Sequence, residues 1–143
     1  MPLFYKLDRL GKDTARVAGR LEELRNTLQN HPDGPQRSVP NKNATDTLLL
    51  ATWNLKEFEG GKNDKRTAES YWYTAEIISH FDLIAIQEVG GHLGALNKLQ
   101  ALLGKTWRFV VSDVTQGSAG NQERLAFLFD RRKIRFSGVA GEI

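Results

Sequence analysis

The sequence predicts an α/β domain: a mixed sheet with helices on one face, preceded by an N-terminal helix. Three observations carry this. Apolar runs of strand length recur along the chain, TLLLATW at 47–53, DLIAIQEV at 82–89 and ERLAFLFD at 123–130. Stretches of helical periodicity follow the first two runs. The leading 30 residues keep a different apolar period from everything after them.

That leading stretch reads as one amphipathic helix over 1–30. Leu3, Leu7, Leu10, Val17, Leu21, Leu24 and Leu28 fall on alternating steps of four and three, with Thr14 filling the gap. Such a seam also suits a coiled coil. Gly11 and Gly19 interrupt it, each costing roughly 1 kcal/mol relative to alanine in a helix, so a helix lying on the domain is the better reading. Residues 31–46 read as a linker. Pro32, Pro35 and Pro40 forbid regular helix there, and Asp33–Gly34 is a turn signal.

The domain proper is expected over 47–143. TLLLATW is continuously apolar, which suits a strand buried on both faces. Residues 56–66 are polar and Gly-rich, hence a loop. Residues 67–81 read as a helix with Ala68, Tyr71, Trp72, Ala75 and Ile78 on one face and Glu69 and Glu76 away from it. DLIAIQEV is the second buried strand. The next helix turns Leu93, Leu96, Leu99 and Leu103 inward and stops at Gly104. WRFVVSDV at 107–114 is a third strand, ERLAFLFD a fourth and IRFSGV at 134–139 a fifth, with 117–121 a plain connector. The order is β-α-β-α-β-β-β. A strand–helix–strand unit of this length joins parallel strands by a right-handed crossover. Ligands of such sheets sit beyond the C-terminal strand ends.

Composition excludes several functions. The 143 residues hold 40% apolar and 26% charged side chains, ordinary for one globular domain. Net charge is +3, and residues 1–46 hold 8 basic and 6 acidic groups against 12 and 11 in the remainder. That excess is too small and too evenly spread along the sequence to argue a nucleic-acid footprint by itself. Without cysteine there are no disulfides, thiolate zinc sites or thiol nucleophiles. Lys6, Asp8 and Arg9 stand where a signal peptide would be apolar. The densest apolar stretch, 48–53, is too short to span a bilayer. The compartment stays open, with the cytoplasm favoured.

Asn54 and Glu88 each follow an apolar run, so parallel neighbouring strands would present both at one rim. A carboxylate with a nearby amide suits a hard cation such as Mg²⁺, which takes one or two carboxylates, retained waters and phosphate oxygens. The alternative for Glu88 is an exposed strand-end charge. His31 in the linker, His80 near a helix end and His92 after two glycines read as structural or surface residues. The chain has no phosphate-binding Gly-x-x-x-x-Gly-Lys loop, no Gly-x-Ser-x-Gly elbow and no His-Glu-x-x-His helix.

TWNLKEFEG, DLIAIQEV and NQERLAFLFD, in that order and spacing, resemble the endonuclease/exonuclease/phosphatase superfamily, closest to its pancreatic-type deoxyribonuclease branch. The resemblance runs over about 48–138 and leaves the first 46 residues unexplained. It implies one half of a four-layer α/β sandwich and Mg²⁺-dependent hydrolysis of a phosphate ester by in-line attack of water. It implies that Glu88 is a ligand of the catalytic Mg²⁺ and that Asn54 organises the metal and scissile phosphate. It further implies that Glu123 orients a catalytic histidine; otherwise Glu123 is an edge carboxylate paired with Arg124. Nucleic acid is the expected substrate, with phosphoinositides and sphingolipids as the family's other substrates.

The chain departs from the family where the second half would contribute. It has no Asp-x-Asn and no Asp-His, and Ser112-Asp113-Val114 has the wrong third residue in the wrong place. The expectation is an N-terminal half, inactive by itself, whose sheet leaves one apolar face uncovered. Trp107, Phe109, Leu125, Phe127 and Phe129 exceed what one helical layer hides. That face would receive a second-half domain or a second copy. The competing expectation is a non-catalytic module that binds or self-assembles through that face or through the N-terminal seam.

Overall fold

The computed structural model describes residues 4–43, 45–58, 65–113 and 124–138. A 3₁₀ segment, Phe4–Asp13, leads into α1 (Thr14–Gln29). Strand β1 (Leu50–Phe58), helix α2 (Ala68–Ser79), strand β2 (Leu83–Val89), helix α3 (Gly94–Leu103) and strands β3 (Trp107–Val111) and β4 (Arg124–Asp130) follow. The sheet order is β1-β2-β4-β3. β1 runs parallel to β2, while β4 is antiparallel to both β2 and β3. This is the mixed α/β sheet that the sequence predicts.

Each element has a local cause. Thr67 caps α2, its hydroxyl accepting the Ser70 N–H at 3.2 Å. Gly104, at φ 98°, ends α3 and donates its N–H to the Gln100 carbonyl. Gly11, at φ 57°, breaks the leading seam, so the expected single helix is a 3₁₀ segment joined to α1.

Layering follows from parity along the strands. Ile84 and Ile86 of β2 and Ala126 and Leu128 of β4 are fully or nearly fully buried. They pack with Trp107 of β3 against Tyr71, Ala75 and Ile78 of α2 and Leu96, Leu99 and Leu103 of α3. The segment before β1 adds a second small core outside α2, where Leu7, Val17 and Leu21 close on Trp72. α2 is therefore covered on two sides.

This layering corrects the reading of Glu76 as lying away from the apolar face. Its side chain is fully buried, because α1 covers that side of α2 and Arg25 meets it with Nε 2.8 Å from Oε1. The expectation of burial on both faces of β1 also fails. Thr52, Asn54 and Lys56 are exposed, and Leu50 keeps 60% of its surface. Leu125, on the same sheet face, keeps 40%. Trp107 and Phe109, expected among the excess apolar groups, belong to the helix-covered core. β1 also starts and ends later than predicted, reaching Phe58 through part of the expected loop. No strand forms over 134–138: the Lys133 and Ile134 N–H groups both turn back to the Asp130 carbonyl. Among the described residues no helix is long and apolar enough to cross a membrane.

Candidate functional site

β1 and β2 pair in register from Leu50↔Leu83 to Asn54↔Gln87. Beyond this the register shifts, between Asn54 and Phe58 against β2 and between Ile86 and Val89 against β4. Both irregularities bracket one residue, Glu88, the sole described non-glycine residue with positive φ, at 57°. That left-handed backbone costs an L-residue about 1–2 kcal/mol.

The parity of β2 shows what the distortion does. Ile84 and Ile86 point to the helix-covered core, so a regular strand would drive Glu88 there as well. The bulge moves Val89 into the core position, fully buried opposite Phe58. Glu88 is left half-buried and turned to Asn54, which lies on the exposed side of β1. Asn54 Nδ2 donates to Glu88 Oε1 at 2.5 Å. Bulges often re-aim a side chain next to a functional site, and strain of this kind clusters at such sites.

The bond uses the amide nitrogen and one carboxylate oxygen. The second carboxylate oxygen and the amide oxygen are hard acceptors of the kind that Mg²⁺ takes. No group of three or more His, Asp or Glu side chains that could hold an ion occurs among the described residues. The pair thus fits a cation that keeps waters and borrows ligands from a phosphate, and does not fit an all-protein cage. Comparison with known families finds no matching family model. Comparison with curated proteins finds no match either.

Two cations that the sequence did not single out lie at the same end of the sheet. Arg124 opens β4 opposite Val89, and its Nε is buried without a hydrogen-bond partner among the described residues. A buried donor of this kind calls for an acceptor. Arg66 donates through Nη2 to the Lys56 carbonyl and stacks 5.0 Å from the centre of the Phe58 ring. Glu123 lies outside the described residues, as does the 117–121 connector. The histidines act locally. His92 Nδ1 accepts the Gly94 N–H at the start of α3, and His31 Nδ1 accepts the Asp33 N–H. His80 Nε2 lies 3.3 Å from Glu76 Oε1.

The opposite end of the sheet holds the deeper charges. Asp82 is fully buried and Asp130 1% exposed. Asp82 Oδ2 accepts the Leu49 N–H at 2.9 Å and lies 2.8 Å from Lys133 Nζ. Its Oδ1 receives no well-aligned hydrogen bond but sits 3.2 Å from Lys42 Nζ. Burial alone would raise the Asp82 pKa, and the Leu49 N–H, Lys133 and Lys42 outweigh it and hold it below the ordinary value. Burial likewise opposes ionisation of Asp130, yet Arg132 brings it down to about 2. The Glu76 carboxyl is also held low, His80 and Arg25 overcoming its burial.

Proposed function

We propose that this chain carries the metal-binding half of a Mg²⁺-dependent phosphodiester hydrolase acting on nucleic acid, in keeping with the superfamily that its motifs resemble. The observation that supports the reading most is Glu88. A carboxylate is turned out of the core parity of β2 by strained backbone, at the C-terminal rim of two parallel strands, to meet a carboxamide. A merely structural strand-end charge gains nothing from that strain.

Glu88 and Asn54 would hold the metal. Bound there, Mg²⁺ would supply charge stabilisation at the phosphoryl oxygens and assist activation of a water. Asn54 fixes the orientation of the Glu88 carboxylate through its amide N–H. No histidine is among the site's described residues, and the sequence has no Asp-x-Asn or Asp-His. General acid–base assistance is worth about 10²–10⁴-fold, so the chain by itself should turn over little. Plasmid nicking with Mg²⁺ tests this: trace nicking that Glu88→Ala removes is expected. Nicking that Glu88→Ala leaves unchanged would contradict the assignment of Glu88. Rapid nicking by the chain alone would contradict the missing base.

The exposed sheet face favours a second reading, a binding module. Leu50 and Leu125 stand 60% and 40% exposed on that face, and apolar patches of this sort mark partner surfaces. Sedimentation at several concentrations discriminates. Self-association that Leu50→Lys abolishes supports this reading, and a concentration-independent monomer counts against self-assembly.

A further inference from the structure

The bulge in β2 presents two side chains to the rim, and the proposed metal site uses one of them. Between Ile86↔Ala126 and Val89↔Arg124, β2 runs through two residues, Gln87 and Glu88, where β4 runs through one, Leu125. Ile86 and Val89 are both fully buried in the helix-covered core. Gln87 and Glu88 stand between them, Gln87 exposed and Glu88 half-buried. A regular strand would set consecutive residues on opposite faces. The extra residue of the bulge brings this polar pair to one side.

Gln87 is also the register partner of Asn54, in the last pair before the β1–β2 ladder shifts. Glu88 reaches the same Asn54 from the next position, accepting its amide N–H. Asn54 therefore has both residues of the bulge as neighbours. Its amide nitrogen is engaged by Glu88, whereas the Gln87 side chain makes no hydrogen bond to any described residue. A carboxamide carries two N–H donors and one carbonyl acceptor, so the rim holds directed donors that no described residue uses.

The spacing suits a phosphate that bridges to the metal. A phosphate oxygen bound to Mg²⁺ at about 2.1 Å and accepting an amide N–H at about 2.9 Å needs its donor within about 5 Å of the ion. Neighbouring strands lie about 4.8 Å apart, and Gln87 stands one strand from Asn54 and one residue from Glu88. Glu88 and Asn54 offer oxygens to the metal; Gln87 offers N–H groups to the anion. A hydrogen bond to an ionised acceptor is roughly twice as strong as one between neutral groups. Thr52, the next outward residue of β1 toward the sheet centre, pairs with Ala85 and lies about 6.6 Å further from the rim.

We propose that Gln87 binds the substrate: its side-chain N–H donates to a non-bridging oxygen of the phosphodiester, while Glu88 and Asn54 hold the metal. The inference deepens the phosphodiesterase reading and rests on it. It divides the bulge between two tasks, Glu88 for the cation and Gln87 for the anion.

The test titrates thymidylyl-thymidine, a diester that the chain alone should hardly turn over, into the ¹⁵N-labelled whole chain with saturating Mg²⁺. The Gln87 side-chain amide signals should shift with the diester and stay in place with thymidine, which lacks the phosphate. Gln87→Met, which keeps the length of the side chain and removes its donors, should weaken diester binding about tenfold. Thr52→Ala should change it less than about twofold, with circular dichroism checking that each variant is folded. In both variants Mn²⁺ should broaden the Asn54 and Glu88 amides as in the parent. Unchanged diester binding by Gln87→Met, a Gln87 amide that ignores the diester, or one that answers thymidine equally would overturn the proposal and leave Glu88 as a metal ligand. Loss of Mn²⁺ broadening in Gln87→Met would also overturn it, by placing Gln87 on the metal. Absence of broadening near Glu88 in the parent would instead bring down the proposal together with the reading beneath it.

Discussion

The two ends of the sheet handle charge in opposite ways. At one end Asp82 and Asp130 are buried, and Lys42, Lys133 and Arg132 surround them within 3.5 Å. The backbone there is regular, and Leu49 adds its N–H. At the other end a single carboxylate stands half-exposed on left-handed backbone, hydrogen-bonded to a neutral amide. The first arrangement ties the segment before β1 to β2 and β4. The second gives up stability to turn a carboxylate out of the core. On the proposed reading the functional acid is marked by the conformational cost at Glu88 and not by depth of burial.

The contrast is broken most forcefully by removing Asp82. Asp82→Ala removes the carboxylate that the Lys42 and Lys133 heads and the Leu49 N–H share, and a loss of about 3 kcal/mol is expected, read by urea unfolding. Glu88→Gln in the same assay should fall within about 0.5 kcal/mol of the parent. Equal costs would mean that the two ends do not differ in kind.

Acid titration comes next. Asp130 has a depressed folded pKa, so its contribution is complete above the ordinary carboxylate range and is lost as pH falls from about 4 toward 2. Asp82 and Glu76 shift in the same direction. Unfolding free energy should therefore be flat near neutrality and fall below about pH 4, Asp130 alone accounting for on the order of 2 kcal/mol. In Asp130→Asn the fall should be shallower. An unchanged acid limb would remove Asp130 from the account.

The smallest expected effect has the opposite sign. Glu88→Gly relieves the left-handed strain and should stabilise the fold by about 0.5–1 kcal/mol, while removing the proposed metal ligand. A destabilised Glu88→Gly would show that the Asn54 contact outweighs the strain.

Much of this was legible in the sequence, and the gaps have physical causes. The alternation of apolar runs and helical periods fixed the α/β class, because burial imposes those periods. The crossover between β1 and β2 put Asn54 and Glu88 at one rim, where the structure has them in contact. The bulge has a signal in the sequence: in IAIQEV, strict alternation assigns Glu88 to the core side, a place a lone carboxylate avoids. Glu76 reads as solvent-facing because one helix's periodicity cannot reveal that a second helix covers its other side. Lys42 lay in a stretch read as a linker, and its ion pairs with Asp82 and Asp130 span 40 and 88 positions of sequence. The expected fifth strand overlooked the turn that Asp130 makes with Lys133 and Ile134.

The central claim is that Glu88 is turned outward to hold a metal. Titrating Mn²⁺ into the ¹⁵N-labelled chain, and following amide broadening by NMR, tests it most directly. The account predicts broadening centred on Asn54 and on residues 87–90, absent in Glu88→Gln. Broadening centred on Asp82 and Asp130, or unaltered by Glu88→Gln, would contradict it.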